Sequence, residues 1–145
     1  MKLADLLKSR YDVTIPIKDA SGSDTGHHVL CRHPHSNEAV AAIQNYSLAL
    51  ARFDDQFKIR HADIAAKAEA ESNFAEYNIA HGIEVAGLKD AYIAEIVTGW
   101  SFDCEYSSSE LLKVMKEFRY PVELGLADQI LTGYQEAIGN LQKKS

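Results

Sequence analysis

Residues 13–17 place apolar side chains at every second position, which is typical of a half-buried strand. Pro16 lacks a backbone N–H donor, so we expect this strand at the edge of a sheet. Turn-forming residues dominate segment 19–26, and residues 27–32 follow as a return strand. The pattern therefore predicts a β-hairpin with a glycine-containing turn.

The next part of the chain changes to a helical period. Residues 35–81 contain neither Gly nor Pro, which favours helix, and Ser36 is a suitable N-cap. Apolar residues at spacings of three and four predict the buried face of a helix of about 25 residues. These residues are Val40, Ile43, Tyr46, Leu50, Phe53 and Phe57. Residues 61–80 are rich in alanine, and the sequence leaves open whether they continue this helix or form a second one.

Glycines divide the rest of the helical part. Gly82 is expected to end the Gly-free run, and a further helix is expected to end near Gly99. An aromatic connector follows at 100–106. Ser107 and Glu110 then have the spacing of a capping box at the start of a short helix, with Ser108 and Ser109 as competing caps. The predicted inner face of this helix consists of Leu111, Leu112, Met115 and Phe118.

The last predicted helix begins at Pro121, because proline is favoured at the first helical position. Gly139 is the expected residue just beyond its end. Its apolar positions are Val122, Leu126, Ile130, Leu131, Tyr134 and Ile138.

These elements predict an α+β fold that is mainly α-helical, with an N-terminal β-hairpin followed by a bundle of about four to five helices. A length of 145 residues suits a single domain. Within it, residues 1–35 would hold a short helix at 2–9 and the hairpin, residues 36–140 the helical part, and residues 141–145 a frayed tail.

Charge and hydropathy narrow the classes of partner. Twenty-one acidic residues against fifteen basic ones give a net charge of −6, which argues against nucleic acid and anionic membrane surfaces as partners. No apolar run approaches the ~20 residues of a membrane span. The N-terminus lacks the apolar core of a signal peptide, so we expect the protein to act where it is made.

One segment of the hairpin concentrates possible metal ligands. His27, His28, Cys31, His33 and His35 lie within nine residues. Imidazole and thiolate are natural zinc ligands, and Cys31, His33 and His35 would share one face of a strand. Neighbouring ligands on a straight strand stand about 6.5 to 7 Å apart, however, too far for one metal ion without a bend. Surface histidines near a strand end are the simpler interpretation.

No other pattern indicates catalysis or a cofactor. Cys31 and Cys104 are the only cysteines, and nothing near either one marks an activated nucleophile. The phosphate-binding patterns GxxxxGK[ST] and GxGxxG are absent from the sequence. We therefore expect no enzyme activity, no cofactor and no metal.

The order of the motifs carries more information than any one of them. A hairpin and a His-Pro-His-Ser-Asn segment precede a long helix, and a later helix ends in Val97-Thr-Gly-Trp100 with Phe102 close behind. A Ser-capped helix, Tyr120-Pro121 and a last helix with a terminal Asn follow. In this layout the chain resembles the tail assembly chaperones of siphophage-type bacteriophages and prophages.

The resemblance implies a non-enzymatic protein of the host cytoplasm. Chaperones of this family bind the long, helical, poorly soluble tape-measure protein and help it meet the major tail protein as the tail tube assembles. The family offers no catalytic residues to carry over. Trp100 and Phe102 match its pattern, and we expect them to be packing residues.

Two alternative functions remain open from the sequence. The chain can be a different helical adaptor or virion component, or a small metal-dependent protein or enzyme that uses the histidine-rich hairpin. Self-association also fits a groove that binds helices, since such a groove can accept a copy of the chain. The client-binding surface is not assigned by the sequence.

Overall fold

The computed structural model describes residues 13–119 and 125–144, which form three strands and five helices. The predicted α+β, mainly helical fold class is confirmed, whereas the helix expected at 2–9 lies outside the described residues. The elements in chain order are β1 (Val13–Lys18), β2 (Asp24–Cys31), α1 (Asn37–Arg60), α2 (Ala62–Glu71), α3 (Ala75–Ile96), β3 (Val97–Trp100), α4 (Ser108–Glu117) and α5 (Leu126–Lys144).

The predicted hairpin is formed by β1 and β2. The strands are antiparallel, with Ile15 opposite Val29 and both residues buried. In the turn, the Asp19 carboxylate accepts hydrogen bonds from the backbone N–H groups of Ser21 (2.9 Å) and Ser23 (3.0 Å). Gly22 takes a φ of 86°, a conformation that glycine adopts without steric cost. The turn therefore follows from local chemistry.

A third strand completes the sheet and corrects one prediction. The order is β1-β2-β3, so β2 is central and β1 lies at an edge, as Pro16 indicates. The helix expected to run to Gly99 ends instead at Ile96, and Val97 continues directly as β3 opposite Cys31. Residues 97 and 98 are β-branched, which favours a strand. Pairing with β3 also satisfies backbone groups of β2 that a longer α3 would have left without partners.

Helix α1 begins as predicted but buries only part of the predicted face. The Ser36 hydroxyl accepts from the Ala39 N–H at 3.2 Å, which confirms the N-cap. Three of the six residues expected to be buried are 39 to 41% exposed: Val40, Ile43 and Leu50. Phe53 and Phe57 of the predicted face are buried, together with Ala39 and Ala42, which were not expected to be.

Aromatic contacts explain why only part of the predicted face of α1 is buried. Tyr46 stacks on Tyr92 with ring centroids 4.9 Å apart, and Phe57 meets Tyr77 edge to face at 5.1 Å. These pairs set α1 antiparallel to α3 and turn its aromatic side toward that helix. The aliphatic residues on the flank of the apolar arc are consequently left at the surface.

The Gly-free run contains two breaks, so residues 36–80 are not one helix. Helix α1 ends at His61, whose N–H donates to the Phe57 carbonyl. Helix α2 ends at Ser72, which takes a left-handed φ of 50°, and the Asn73 N–H then returns to the Ala68 carbonyl at 3.0 Å. The Asn73 side chain accepts from the Ala75 N–H at the start of α3. Ser72 and Asn73 thus end one helix and begin the next, whereas Gly82 was the residue expected to end the Gly-free run.

The prediction that Gly82 ends a helix is wrong, because α3 runs through both Gly82 and Gly87 to Ile96. An internal glycine costs about 1 kcal/mol relative to alanine. Packing of α3 along α1 and against the sheet offsets that cost, since Tyr92, Ile93 and Ile96 are all buried.

Helix α4 is capped as predicted, with the Ser107 hydroxyl accepting from the Glu110 N–H at 3.1 Å. Leu111 and Met115 of the predicted inner face are fully buried. Phe118 is not part of that face: it follows the last helical residue and is 60% exposed.

Helix α5 is described from Leu126, after a bend at Gly125, and the start expected at Pro121 lies outside the described residues. Gly139 does not end the helix, which continues to Lys144. Gly133 allows α5 to approach β1 closely, because a Cβ at this position would lie 2.7 Å from the Ile15 side chain. The predicted frayed tail is helical as far as residue 144.

A buried ion pair joins α3 to the end of α4. Asp90 is 2% exposed, and its Oδ2 accepts from Arg119 Nη2 at 2.6 Å. The second carboxylate oxygen of Asp90 has no hydrogen-bond partner among the described residues. Lys89 and Asp128 form a second ion pair at 2.9 Å between α3 and α5. None of the helices described here combines the length and apolarity needed to cross a membrane.

We predict that Arg119→Met lowers the free energy of unfolding by about 3 kcal/mol, because it leaves the Asp90 carboxylate buried without its cation. The double variant Asp90→Leu, Arg119→Met should recover most of this loss, since it removes both charges. Chemical denaturation of the two variants and the wild type measures the difference. Equal stability of the single variant and the wild type would contradict the role of this pair.

Candidate functional site

A strongly apolar depression, with a volume of about 350 Å³, lies between the end of β1, the segment after β3, and helices α4 and α5. We call it the apolar groove. Its lining consists of Ile17, Lys18, Asp19, Ala20, Trp100, Phe102, Cys104, Val114, Phe118, Leu126 and Gln129. The volume lies near the lower end of the range for small-molecule pockets, about 300 to 1,000 Å³, and suits a few apolar side chains.

Trp100 and Phe102, the two residues that match the family pattern, form one wall of the groove. Both are partly buried and pack against the core. Their rings meet at 75° with centroids 5.5 Å apart, and Tyr106 contacts Trp100 from another side at 5.1 Å. The Trp100 indole N–H donates to the Cys104 carbonyl at 2.8 Å, which fixes the ring.

A histidine of the hairpin supports this wall. His27 lies 5.2 Å from Phe102 between ring centroids, and its Nδ1 lies within hydrogen-bond distance of Ser101. The Ser101 hydroxyl in turn accepts from the His28 N–H at 2.9 Å. Phe102 is therefore held against β2 although it follows the last strand.

The side chain of Gln129 closes one end of the groove. Its Oε1 accepts from the Lys18 N–H at 2.7 Å, and its Nε2 donates to the Lys18 carbonyl at 2.9 Å. This pairing satisfies both backbone groups at the end of β1, as a neighbouring strand would. A partner therefore cannot extend the sheet at this point, which favours side-chain insertion over strand addition.

The opposite wall comes from α4 and α5. The Leu126 N–H donates to the Phe118 carbonyl at 3.0 Å, so the start of α5 lies directly beside the end of α4. Gly125 permits this approach, because a Cβ there would lie 2.6 Å from the Arg119 carbonyl oxygen. Phe118 is left with 60% of its surface exposed at the rim, and Val114 lines the wall beside it.

The charged groups of the lining lie at one edge. Lys18 and Asp19 are both exposed. The hydrogen bond from the Ser21 hydroxyl, followed by that from the Ser23 backbone, lowers the pKa of Asp19 and keeps it ionised at neutral pH. The groove thus has an apolar floor and a polar rim, the usual anatomy of a protein-binding surface.

The two cysteines lie in opposite environments. Cys31 is fully buried in the core, and burial raises the pKa of its thiol to about 12. It is therefore protonated and unsuited to nucleophilic or metal chemistry. Cys104 is exposed and lines the groove.

The candidate metal ligands of the hairpin do not converge. Cys31 faces the core, His27 lies on Ser101, and His33 Nδ1 accepts from the His35 N–H at 3.0 Å. Among the described residues, no three His, Cys, Asp or Glu side chains form a group that could hold a metal ion.

Sequence reasoning singled out Trp100 and Phe102 but not the residues opposite them. Val114 and Gln129 carried no signal, since nothing in the sequence relates them to residues 18 or 100. The apolar spacing predicts Phe118 on the inner face of α4. Its position just before Tyr120-Pro121, where the helix is expected to stop, is the feature of the sequence that indicates its exposure.

Comparisons of the chain with models of known protein families, with curated proteins and with solved structures find no match.

The environments of the thiols predict their reactivity. In the folded protein at pH 8, a thiol-specific reagent should modify Cys104 alone, because the buried Cys31 thiol is neither accessible nor ionised. Under denaturing conditions both should react, and mass spectrometry distinguishes one adduct from two. Rapid modification of Cys31 in the folded protein would contradict its placement in the core.

Proposed function

We propose that this protein is a non-enzymatic tail assembly chaperone that holds an apolar helical segment of a tape-measure protein in the apolar groove. The resemblance described above supplies the class of client. The observation that carries the proposal is the groove itself, where Trp100, Phe102 and Phe118 line an apolar surface.

The shape and lining of the groove suit a helix better than a strand or a polar ligand. Helices recognised in grooves insert apolar side chains spaced three and four residues apart. The opening offers aromatic and aliphatic walls for such side chains. The Gln129 amide already occupies the backbone groups of Lys18, with which a strand would pair.

Apolar contacts in the groove favour a weak, reversible complex. Each large apolar side chain removed from water contributes roughly 1.5 to 3 kcal/mol, and the entropy lost on association opposes this gain. A few inserted side chains therefore do not hold a client tightly, which suits a chaperone that must release it. No catalytic group is required.

The acidic surface supports the same proposal. A net charge of −6 favours solubility of a complex whose client exposes apolar surface. Transfer of the client to the major tail protein in the host cytoplasm is the further role that the resemblance implies.

The proposal is tested by co-expression with the tape-measure protein of the same phage or prophage. Wild-type chain should raise the soluble fraction of that protein and co-purify with it. Phe118→Glu should abolish both effects, because it places a charge in the apolar groove. Phe118 is exposed, so this change should leave folding intact.

Ile59→Glu provides the matched control. Ile59 is also an exposed apolar residue, 78% accessible, but it lies on α1 away from the groove. This variant should behave as the wild type. Absence of any gain in solubility and of co-purification with the wild-type chain would refute the proposal, and equal loss with both variants would refute the assignment of the groove.

A further inference from the structure

Residues 54–84, which we call the acidic corner, comprise the end of α1, all of α2 and the first half of α3. They contain seven acidic and three basic residues and so carry four of the six net negative charges of the chain. Two of the three basic side chains are paired within the corner: Arg60 with Glu84 at 2.6 Å and Lys67 with Glu76 at 3.4 Å. The field at this surface therefore favours a cationic partner.

A cavity of about 530 Å³ opens between the three helices of the corner. It shares no lining residue with the apolar groove. The side chains used below are Asp54 and Lys58 of α1, Glu69 of α2, and Phe74, Tyr77 and His81 at and after the start of α3.

Two aromatic rings in this cavity stand at right angles. Phe74 and Tyr77 have an interplanar angle of 89° with centroids 6.4 Å apart. Tyr77 also contacts Phe57 edge to face at 5.1 Å, and His81 stacks on its ring with centroids 6.0 Å apart. Phe74 is 47% exposed, so part of its ring is open to solvent. The faces of such rings carry negative electrostatic potential and attract cations.

The carboxylates of the cavity lie beside these rings. Asp54 Oδ1 is 2.8 Å from His81 Nε2, and Glu69 is an exposed residue of α2. Lys58 contributes the opposing charge. The two carboxylates outnumber the single lysine of the lining, so an entering cation is attracted both by the local carboxylates and by the charge of the whole corner.

From this combination we infer that the cavity is a recognition site for a basic side chain, preferably arginine, on a protein partner. The guanidinium group lies against Phe74 and Tyr77 and donates to the carboxylates of Asp54 and Glu69. Arginine is preferred over lysine because its planar group stacks on aromatic rings and forms paired hydrogen bonds with carboxylates. This site is separate from the proposed client groove and does not depend on it.

The test is an NMR titration of the full chain with Nα-acetyl-argininamide as the probe. We expect saturable chemical-shift changes at Glu69, Phe74 and Tyr77, weakened by salt because the contact is electrostatic. Nα-acetyl-citrullinamide, which has the same shape without the charge, should produce none. Shifts of the same size with citrulline, or shifts spread over all acidic residues, would overturn the inference.

Matched variants separate the site from the general acidic field. Glu69→Gln should weaken binding about threefold, whereas Glu71→Gln, the same change two residues along α2, should leave it unchanged. Phe74→Ala should also weaken binding about threefold, while Ile79→Ala, another exposed apolar truncation, should not. Equal effects of Glu69→Gln and Glu71→Gln would overturn the inference.

Two further variants complete the test. Lys58→Met should strengthen binding about threefold, because it removes the cation that opposes the ligand. Phe118→Glu in the apolar groove should not change arginine binding, so the two proposals fail or succeed separately.

Discussion

The arrangement of this protein depends on the burial of the junction between α3 and β3. Ile93 and Ile96 are fully buried and Val97 nearly so, and the chain passes from helix to strand without a loop. The Arg32 N–H donates to the Ile96 carbonyl at 2.8 Å, which ties the last turn of the helix to the strand β2. Each buried aliphatic side chain contributes roughly 1.5 to 3 kcal/mol, so the direction of α3 relative to the sheet is strongly fixed. Helices α1, α2, α4 and α5 all contact α3 and take their positions from it.

Local signals in the sequence predicted the elements whose cause is local. The caps at Ser36 and Ser107 and the hairpin turn are formed by residues within four positions of one another, and all three were predicted. The predictions were wrong where contacts between residues distant in sequence determine the structure. Val97 forms a strand because β2 is available to pair with it, and Val40 is exposed because the aromatic residues of α1 face α3. Apolar residues spaced three and four apart define one side of a helix. The elements that pack against the helix then decide which residues of that side are buried.

The same distinction applies to the apolar groove. Trp100 and Phe102 are close in sequence and belong to a short pattern, so the sequence alone singles them out, although as packing residues and not as part of a groove. Gln129 pairs with Lys18 across more than a hundred residues, and Val114 reaches the groove only because α4 packs on α3. A polar glutamine in a surface helix has no feature that distinguishes it from its neighbours. Its role follows from the approach of α5 to β1, which Gly133 permits.

The groove and the acidic corner lie at the two ends of one continuous segment. Helix α3 begins beside Phe74, and β3 ends at Trp100, with no loop between them. The 22 residues of α3 alone span about 33 Å, and no residue lines both sites. Occupants of the two sites therefore do not compete for space, and the α3–β3 segment sets the distance between them. Their chemistry differs as well, because salt screens contacts at the acidic corner but not apolar burial in the groove. Under the two proposals, an apolar segment at one end and a basic side chain at the other would therefore be bound independently.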